Sequence, residues 1–311
     1  MIPNHLPSTN SGIVNLGGNN HMNNNAVGDG AHVDNRRVAP TPSAPAEGIE
    51  NPKGSRHADV GVVTILPEEM RAVVDRFGLK RSERRDGLFF NTGTVETESG
   101  PLSVVAARTH SPGQRSTMST LDHLRHHYSP PRLWLLVGIG GGLDPVDARV
   151  GNVIVSTRIV YYDSRKIKAD DVQRRGEERE TPARMVHAVN AYFTDHGSPA
   201  GIRGQIDGHR KRTFEVLHGL VGSGEAVIAD RNADERRYLK HYNDKVLAVD
   251  MESGGLSQYW QENSVSSSPN PGWVVVRGIS DNADQEKNDD HHELAAFNAA
   301  HVARELLPYL C

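Results

Sequence analysis

The chain predicts an α/β domain in three layers, with a central, mixed and largely buried β-sheet flanked by helices. Short apolar runs rich in β-branched residues alternate with amphipathic helical patterns over residues 59–310. That alternation packs helices on both faces of one sheet. Pro67 directly follows the first apolar run, a good strand-to-helix junction because proline pre-sets the first helical turn. Polar clusters follow several of the runs, and ligands of such folds gather beyond the carboxyl ends of strands.

Taken in order, residues 60–66 (VGVVTIL) read as the first strand and 68–78 as the helix behind Pro67. Residues 88–97 and 102–109 flank ESGP, a hairpin signal. A helix is expected over 114–127, ended by Ser129-Pro130-Pro131. Residues 132–139 (RLWLLVGI) read as a buried strand leading into Gly140-Gly141-Gly142. Further strands are expected at 152–158, 214–221, 246–251 and 273–279. Helical patterns fall at 181–195, 230–241, 252–263 and 293–310.

Composition bounds the rest. Residues 1–57 contain no Phe, Trp or Tyr and are rich in Asn, Gly, Pro and Ser. Such a segment buries too little apolar surface to offset its chain entropy, so a disordered tail is expected there and one globular domain over 58–311. The net charge is −4, from 35 Lys+Arg against 39 Asp+Glu, which argues against a nucleic-acid partner because phosphate-backbone binders carry a basic surplus. The single Cys, Cys311, can form neither an internal disulfide framework nor a Cys-rich zinc site. No apolar run approaches the roughly 20 residues that span a bilayer. The N-terminus also lacks the pattern of a signal peptide, so no membrane partner and a cytoplasmic location are expected.

Five clusters could carry chemistry. Glu68-Glu69 at a helix start suits the helix dipole, and a Glu there can also serve as a general base. VGIGGGLDP (137–145) lacks G-x-G-x-x-G spacing, so its glycines imply a close backbone approach or a tight turn rather than a dinucleotide site. GSGEAVI (222–228) reads as a loop after a strand. In Val249-Asp250-Met251-Glu252, strand alternation puts Asp250 and Glu252 on one face, where buried carboxylates need a partner. In RGISDNAD (277–284), Ser280-Asp281 could cap a helix or present an acid to a ligand. His123, His126, His127, His291 and His292 lack metal-ligand spacing and read as solvated faces.

Together VGVVTILPEEM, VGIGGGLDPVDARVGNVIVS, GSGEAVI, AVDMESGGLSQ and VVVRGISDNAD resemble the purine nucleoside phosphorylase superfamily, especially its methylthioadenosine/S-adenosylhomocysteine nucleosidase branch. The ending, RGISDNADQEKNDDHHELAAFNAAHVARELL, is more similar to the nucleosidase modules of bacterial and fungal conflict (immune) proteins. The resemblance implies a phosphorylase-like catalytic domain that needs no cofactor and no metal, and a homo-oligomer. It implies that Glu69 orients or deprotonates the attacking water and that Asp281, beside Ser280, protonates the purine. It also implies that Glu252 binds the ribose hydroxyls with Met251 against the sugar, and that the Ile228 backbone reads the adenine edge. Gly141 belongs to the same substrate-binding set. The chemistry suits these types: an acid neutralises the departing base, and a carboxylate near the sugar supports an oxocarbenium-like transition state. Asp281 is expected protonated in the complex and Glu69 ionised.

Departures from the family pattern sharpen the reaction. Related phosphorylases place an Arg and a Ser or Thr where this chain has Leu136 and Ile139, which favours water over phosphate as nucleophile. Val227 stands where relatives stack an aromatic ring; Tyr161 or Tyr162 is left open as a substitute. The basic segment 161–184 reads either as a solvated loop or subunit contact, or as a phosphate clamp through Arg165 and Lys166, joined by Arg108, His110 and Arg115. The leading expectation is hydrolytic release of a purine, adenine first, from a small-molecule nucleoside or nucleotide. A phosphorylase, a non-catalytic nucleoside sensor and a nucleotide-depleting defence effector, switched on by an activating protein or signal, are the alternatives.

Overall fold

A computed structural model describes residues 56–85, 87–206, 210–264 and 272–311. The expected tail over residues 1–57 lies outside them except for Arg56 and His57. Arg56 already pairs with the chain at Tyr128.

Strand β1 (Val60–Thr64) enters α1 (Pro67–Phe77), as the proline junction predicts. β2 (Lys80–Arg85), β3 (Leu88–Thr97) and β4 (Gly100–Arg108) form an antiparallel ribbon before α2 (Gln114–His127). β5 (Leu133–Gly142) follows, then β6 (Val153–Ser156) and β7 (Arg158–Tyr161). The segment expected as one basic loop contains β8 (Arg165–Ile167), β9 (Val172–Arg174) and β10 (Glu177–Glu180). α3 (Ala183–His196), β11 (Ala200–Ile206), β12 (Arg210–His218) and β13 (Leu220–Ser223) come next. The chain ends with α4 (Asp234–Tyr242), β14 (Val246–Asp250), α5 (Ser253–Asn263), β15 (Gly272–Asp281) and α6 (His292–Leu310).

All strands except β8 and β9 join one mixed sheet. β1 lies parallel between β4 and β5, and β15 runs parallel to β5 on its other side. Both faces of these central strands are buried, which is why they read as unbroken apolar runs. Val60, Val62, Leu135, Val274 and Val276 face α1, α3 and α6, whereas Val63, Leu136, Trp273 and Val275 face α2 and α5. The three layers follow from that alternation. His292, expected as a solvated face, is instead half-buried, with Nδ1 3.2 Å from Glu68 Oε1, so it ties the start of α6 to α1.

Two alternatives that the sequence leaves open, close approach or turn for the glycines and acid or helix cap for Ser280-Asp281, are decided for the first of each pair. Gly140-Gly141-Gly142 is not a turn but the continuation of β5, where Gly141 and Gly142 pair with Val249 and Ala248 of β14. The strand persists because its neighbours approach too closely for side chains: a Cβ on Gly140 would stand 2.9 Å from the Val249 carbonyl oxygen. Ser280-Asp281 caps no helix; both residues end β15.

α6 reaches the sheet in the same way. A Cβ on Gly278 would lie 2.0 Å from the Ala295 carbonyl oxygen, backbone against backbone. Gly278→Ala is therefore expected to destabilise the fold by about 1–3 kcal/mol or more through overpacking. Gly201→Ala, where a Cβ meets nothing within 4 Å, is expected to change stability by less than about 0.5 kcal/mol. Urea unfolding midpoints of the two variants check the contrast.

Candidate active site

Five chain segments meet at one end of the sheet: the β1–α1 junction, the glycine half of β5, the loop after β13, the β14–α5 junction and the end of β15. They enclose a small cleft of about 140 Å³. Its walls include Glu69, Ile139, Gly141, Val227, Ile228, Met251, Glu252, Ser280, Asp281 and Lys287. Every catalytic and substrate-binding residue expected from sequence is therefore brought together.

Glu69 is buried at the third residue of α1. Its Oε2 accepts the N–H groups of Ile65 (2.6 Å) and Leu66 (2.8 Å), and its Oε1 accepts the N–H of Ile139 (2.8 Å). Burial raises its pKa, opposed by Arg277 and by these three backbone donors. The carboxylate thus bridges the ends of β1 and β5. It fits only because residue 138 is glycine: a Cβ there would stand 2.4 Å from Glu69 Oε1 and 2.6 Å from Arg277 Nη1.

Asp250, expected from strand alternation to need a partner, finds it in Arg277, a residue to which sequence reasoning assigned no role. Arg277 is fully buried in β15. Its Nε and Nη2 donate to Asp250 Oδ2 at 2.8 and 2.6 Å, and Nη2 also reaches Glu252 Oε2 at 3.1 Å. Its Nη1 has no hydrogen-bond partner among the described residues and sits beside Glu69. Burial alone would discharge this guanidinium; Asp250, Glu252 and Glu69 reverse that and raise its pKa. The sequence signal was a charge inside an otherwise apolar strand, which demands buried counter-charges. Asp250 Oδ1 in turn accepts the backbone N–H (3.1 Å) and hydroxyl (2.7 Å) of Ser253, fixing the start of α5.

Glu252 completes this wall. Its Oε1 accepts the Gly113 N–H (3.0 Å) at the N-terminus of α2, where φ is 108° and glycine alone is at ease. Burial pushes Glu252 up to about 7, against the pull of Arg277 and with a further push from Asp250.

At the end of β15, Asp281 Oδ1 accepts the N–H of Ala283 (2.8 Å), a residue held at φ 50°. Its Oδ2 accepts the Ser280 hydroxyl (2.8 Å) and the Lys287 ammonium (2.6 Å). A Cβ on Gly141 would come within 3.2 Å of Asp281 Oδ1, so this glycine too makes room for a carboxylate. Lys287 was missed because QEKNDD reads only as a polar loop.

Other expected residues lie elsewhere. Arg108, His110, Arg115, Arg165 and Lys166 are exposed and none lines the cleft; Arg165 stands 4.0 Å from Glu235 on the far side of the β8–β9 hairpin. Neither Tyr161 nor Tyr162 lines the cleft. Tyr162 is fully buried beneath the 224–226 loop, its ring filling the space a side chain on Gly224 would take. Val227 is 59% exposed at the rim. Leu136 is buried in the core and Ile139 offers its backbone to Glu69, so neither supplies a phosphate ligand.

Two outcomes test this wall. Arg277→Met leaves three carboxyl groups buried without their cation and is expected to cost about 3–5 kcal/mol in urea unfolding. Glu252 gives a pH signature. Between the ordinary carboxyl value of 4.5 and about 7, the folded chain keeps a proton that the unfolded chain has released. This group's contribution to stability is therefore complete below 4.5 and is lost as pH rises through that window. Glu252→Gln, which cannot ionise, is expected to flatten the fall in thermal midpoint over that window relative to wild type; parallel curves would exclude the shift.

Comparison with known proteins agrees with this geometry. The sequence pattern of the phosphorylase superfamily matches residues 59–308. The ATP nucleosidase Cap17 of Escherichia coli (strain KTE188) is 26% identical over 265 residues, covering 80% of this chain and 50% of that protein. The chain thus spans about half the length of the curated relatives it matches. S-adenosylhomocysteine nucleosidase from Streptococcus pyogenes, solved with 5-methylthiotubericidin, shares the fold with a TM-score of 0.62 at 16% identity, covering 82% of this chain and 98% of that one. Futalosine hydrolase of Helicobacter pylori strain 26695 gives 0.59 at 18%, covering 80% and 96%. A match over residues 59–308, most of the chain, makes it a member of the phosphorylase superfamily.

Proposed function

We propose that the protein hydrolyses the N-glycosidic bond of a purine nucleoside or nucleotide, adenine being the base, and releases the free base and the ribosyl product. The observation that carries this reading is the convergence of three carboxyl groups on one cleft: Glu69 and Glu252, held near Arg277, and Asp281. A glycosidic bond breaking between them develops positive charge on the sugar and negative charge on the base. Glu69 orients and deprotonates the water, Glu252 holds the ribose hydroxyls with Met251 against the sugar, and Asp281 with Ser280 meets the purine ring. The Ile228 backbone and Val227 border the base. Proton transfer by such positioned groups contributes about 10²–10⁴-fold each.

Water is favoured over phosphate because Leu136 and Ile139 supply no phosphate ligands. The likeness to an ATP nucleosidase favours a nucleotide as substrate and a defence role as nucleotide-depleting effector. This reading carries with it a homo-oligomeric assembly, a cytoplasmic location and a signal or protein that switches the activity on. Among the described residues, no helix is long and apolar enough to cross a membrane.

Chromatography of free base released from methylthioadenosine, S-adenosylhomocysteine, adenosine, AMP and ATP, each with and without phosphate, tests the reading. Adenine is expected without phosphate; a strict phosphate requirement would make the protein a phosphorylase. The nucleotide arms decide whether Arg108, His110, Arg115, Arg165 or Lys166 meets a substrate phosphate beyond the cleft. Asp281→Asn and Glu69→Gln are each expected to lower kcat by about 10²–10⁴-fold. Near-full activity of either variant would remove that residue from the chemistry.

A further inference from the structure

Asp281 carries a feature the reaction does not explain. Its carboxyl group accepts three donors: the Ala283 N–H, the Ser280 hydroxyl and the Lys287 ammonium. Neither the amide nor the ammonium can accept a proton in return, so this is the bonding pattern of an ionised carboxylate. A departing purine nevertheless needs a proton. Lys287 is the one cation among the described residues that line the cleft, and it is 2.6 Å from Asp281 Oδ2. Its side chain is 30% exposed, so it can recover a proton from solvent. The other charged groups nearby are committed elsewhere. Arg236 donates to the Asn282, Ala283 and Leu143 carbonyls, and Arg231 pairs with Asp284. Glu69, Asp250 and Glu252 also line the cleft, where Asp250 and Glu252 pair with the buried Arg277.

We propose that Lys287 is a positioning residue that supplies Asp281 with the proton it passes to the purine, an inference that rests on the nucleosidase reading above. The Nζ–H bond of Lys287 breaks as an O–H bond forms on Asp281 Oδ2. That O–H bond breaks in turn as an N–H bond forms on the imidazole nitrogen of the purine, while the electrons of the glycosidic bond pass to the base. Asp281 returns to its ionised state, and the neutral amine of Lys287 regains a proton from water. A free lysine holds its proton far more tightly than a free aspartate, so the transfer goes forward only as the leaving base gains basicity. This couples proton delivery to bond cleavage and leaves Asp281 ionised while the cleft is empty.

The test is the pH profile of kcat/KM for Lys287→Met and Lys287→Arg, with whichever adenine nucleoside or nucleotide the wild type cleaves. Wild type is expected to stay active at mildly alkaline pH, because the ammonium 2.6 Å from Asp281 carries the proton to be passed on. Lys287→Met must protonate Asp281 from solvent, so it is expected to match wild type within about threefold near pH 5 and to fall about tenfold per unit at alkaline pH. Lys287→Arg keeps the charge and the hydrogen bond but does not release its proton, so it is expected to fail at alkaline pH as well. Hydrolysis of 4-nitrophenyl riboside, whose leaving group needs no proton, is expected to be spared in both variants. A loss equal at every pH, an Arg variant as active as wild type at mildly alkaline pH, or an equal loss on the nitrophenyl riboside overturns the relay. A wild-type protein that releases no base from any purine nucleoside or nucleotide overturns the nucleosidase reading itself.

Discussion

The site is organised around one fully buried guanidinium. Arg277 lies in the middle of β15, the strand clasped between β5 and β6, where an unpaired charge would be prohibitively costly. Asp250, Glu252 and Glu69 meet it from the end of β14, the start of α5 and the start of α1. Three segments far apart in sequence are thereby fixed to one point. The arrangement also sets charge: a cation amid three buried carboxyl groups does not offset burial for all of them, so Glu69 and Glu252 are both raised, Glu252 to about 7. Stability and chemistry therefore share the same atoms, and the network is better understood as specifying position than as adding net stability.

The glycines of β5 are the steric counterpart of that network. Gly138 admits Glu69 and Arg277, Gly140 admits the backbone of β14, and Gly141 admits Asp281. A side chain at any of these would push apart the segments that line the cleft. Gly278 does the same on β15, bringing α6 against the sheet. Close approach, rather than turn formation, is what these glycines provide.

Glu69 and Asp281 differ in how their carboxyl groups are held. Glu69 is bound almost wholly by backbone amides of rigid elements, which suits a group that must orient a small nucleophile. Asp281 is bound by the side chains of Ser280, beside it in β15, and of Lys287, in the loop that follows. That loop also carries the strained Ala283, whose N–H is aimed at Asp281. A fixed base side and an adjustable acid side fit a reaction in which the leaving group, not the water, changes most in basicity.

Much of this was legible in the chain itself. Doubly buried strands announce themselves as unbroken β-branched runs, and Pro67 and the helix over 114–127 follow from local rules, so the three-layer α/β class and most element positions could be read directly. The residues expected to bind and cleave substrate could be named from motif resemblance, because each lies within a short stretch at a strand end or just beyond it. What the chain could not reveal depends on contacts between distant segments. Arg277 with Asp250 and Lys287 with Asp281 have no periodicity to betray them, and the glycine run reads as either a turn or a close approach until its partners are in place. The basic stretch 161–184 likewise looked like a candidate phosphate clamp, and only tertiary packing turned it into β8, β9 and β10, with Arg165 and Arg174 beside Glu235. Local sequence determines which element forms; which charges meet is decided by the sheet, because burial requires every charge to find its partner wherever the fold has put it.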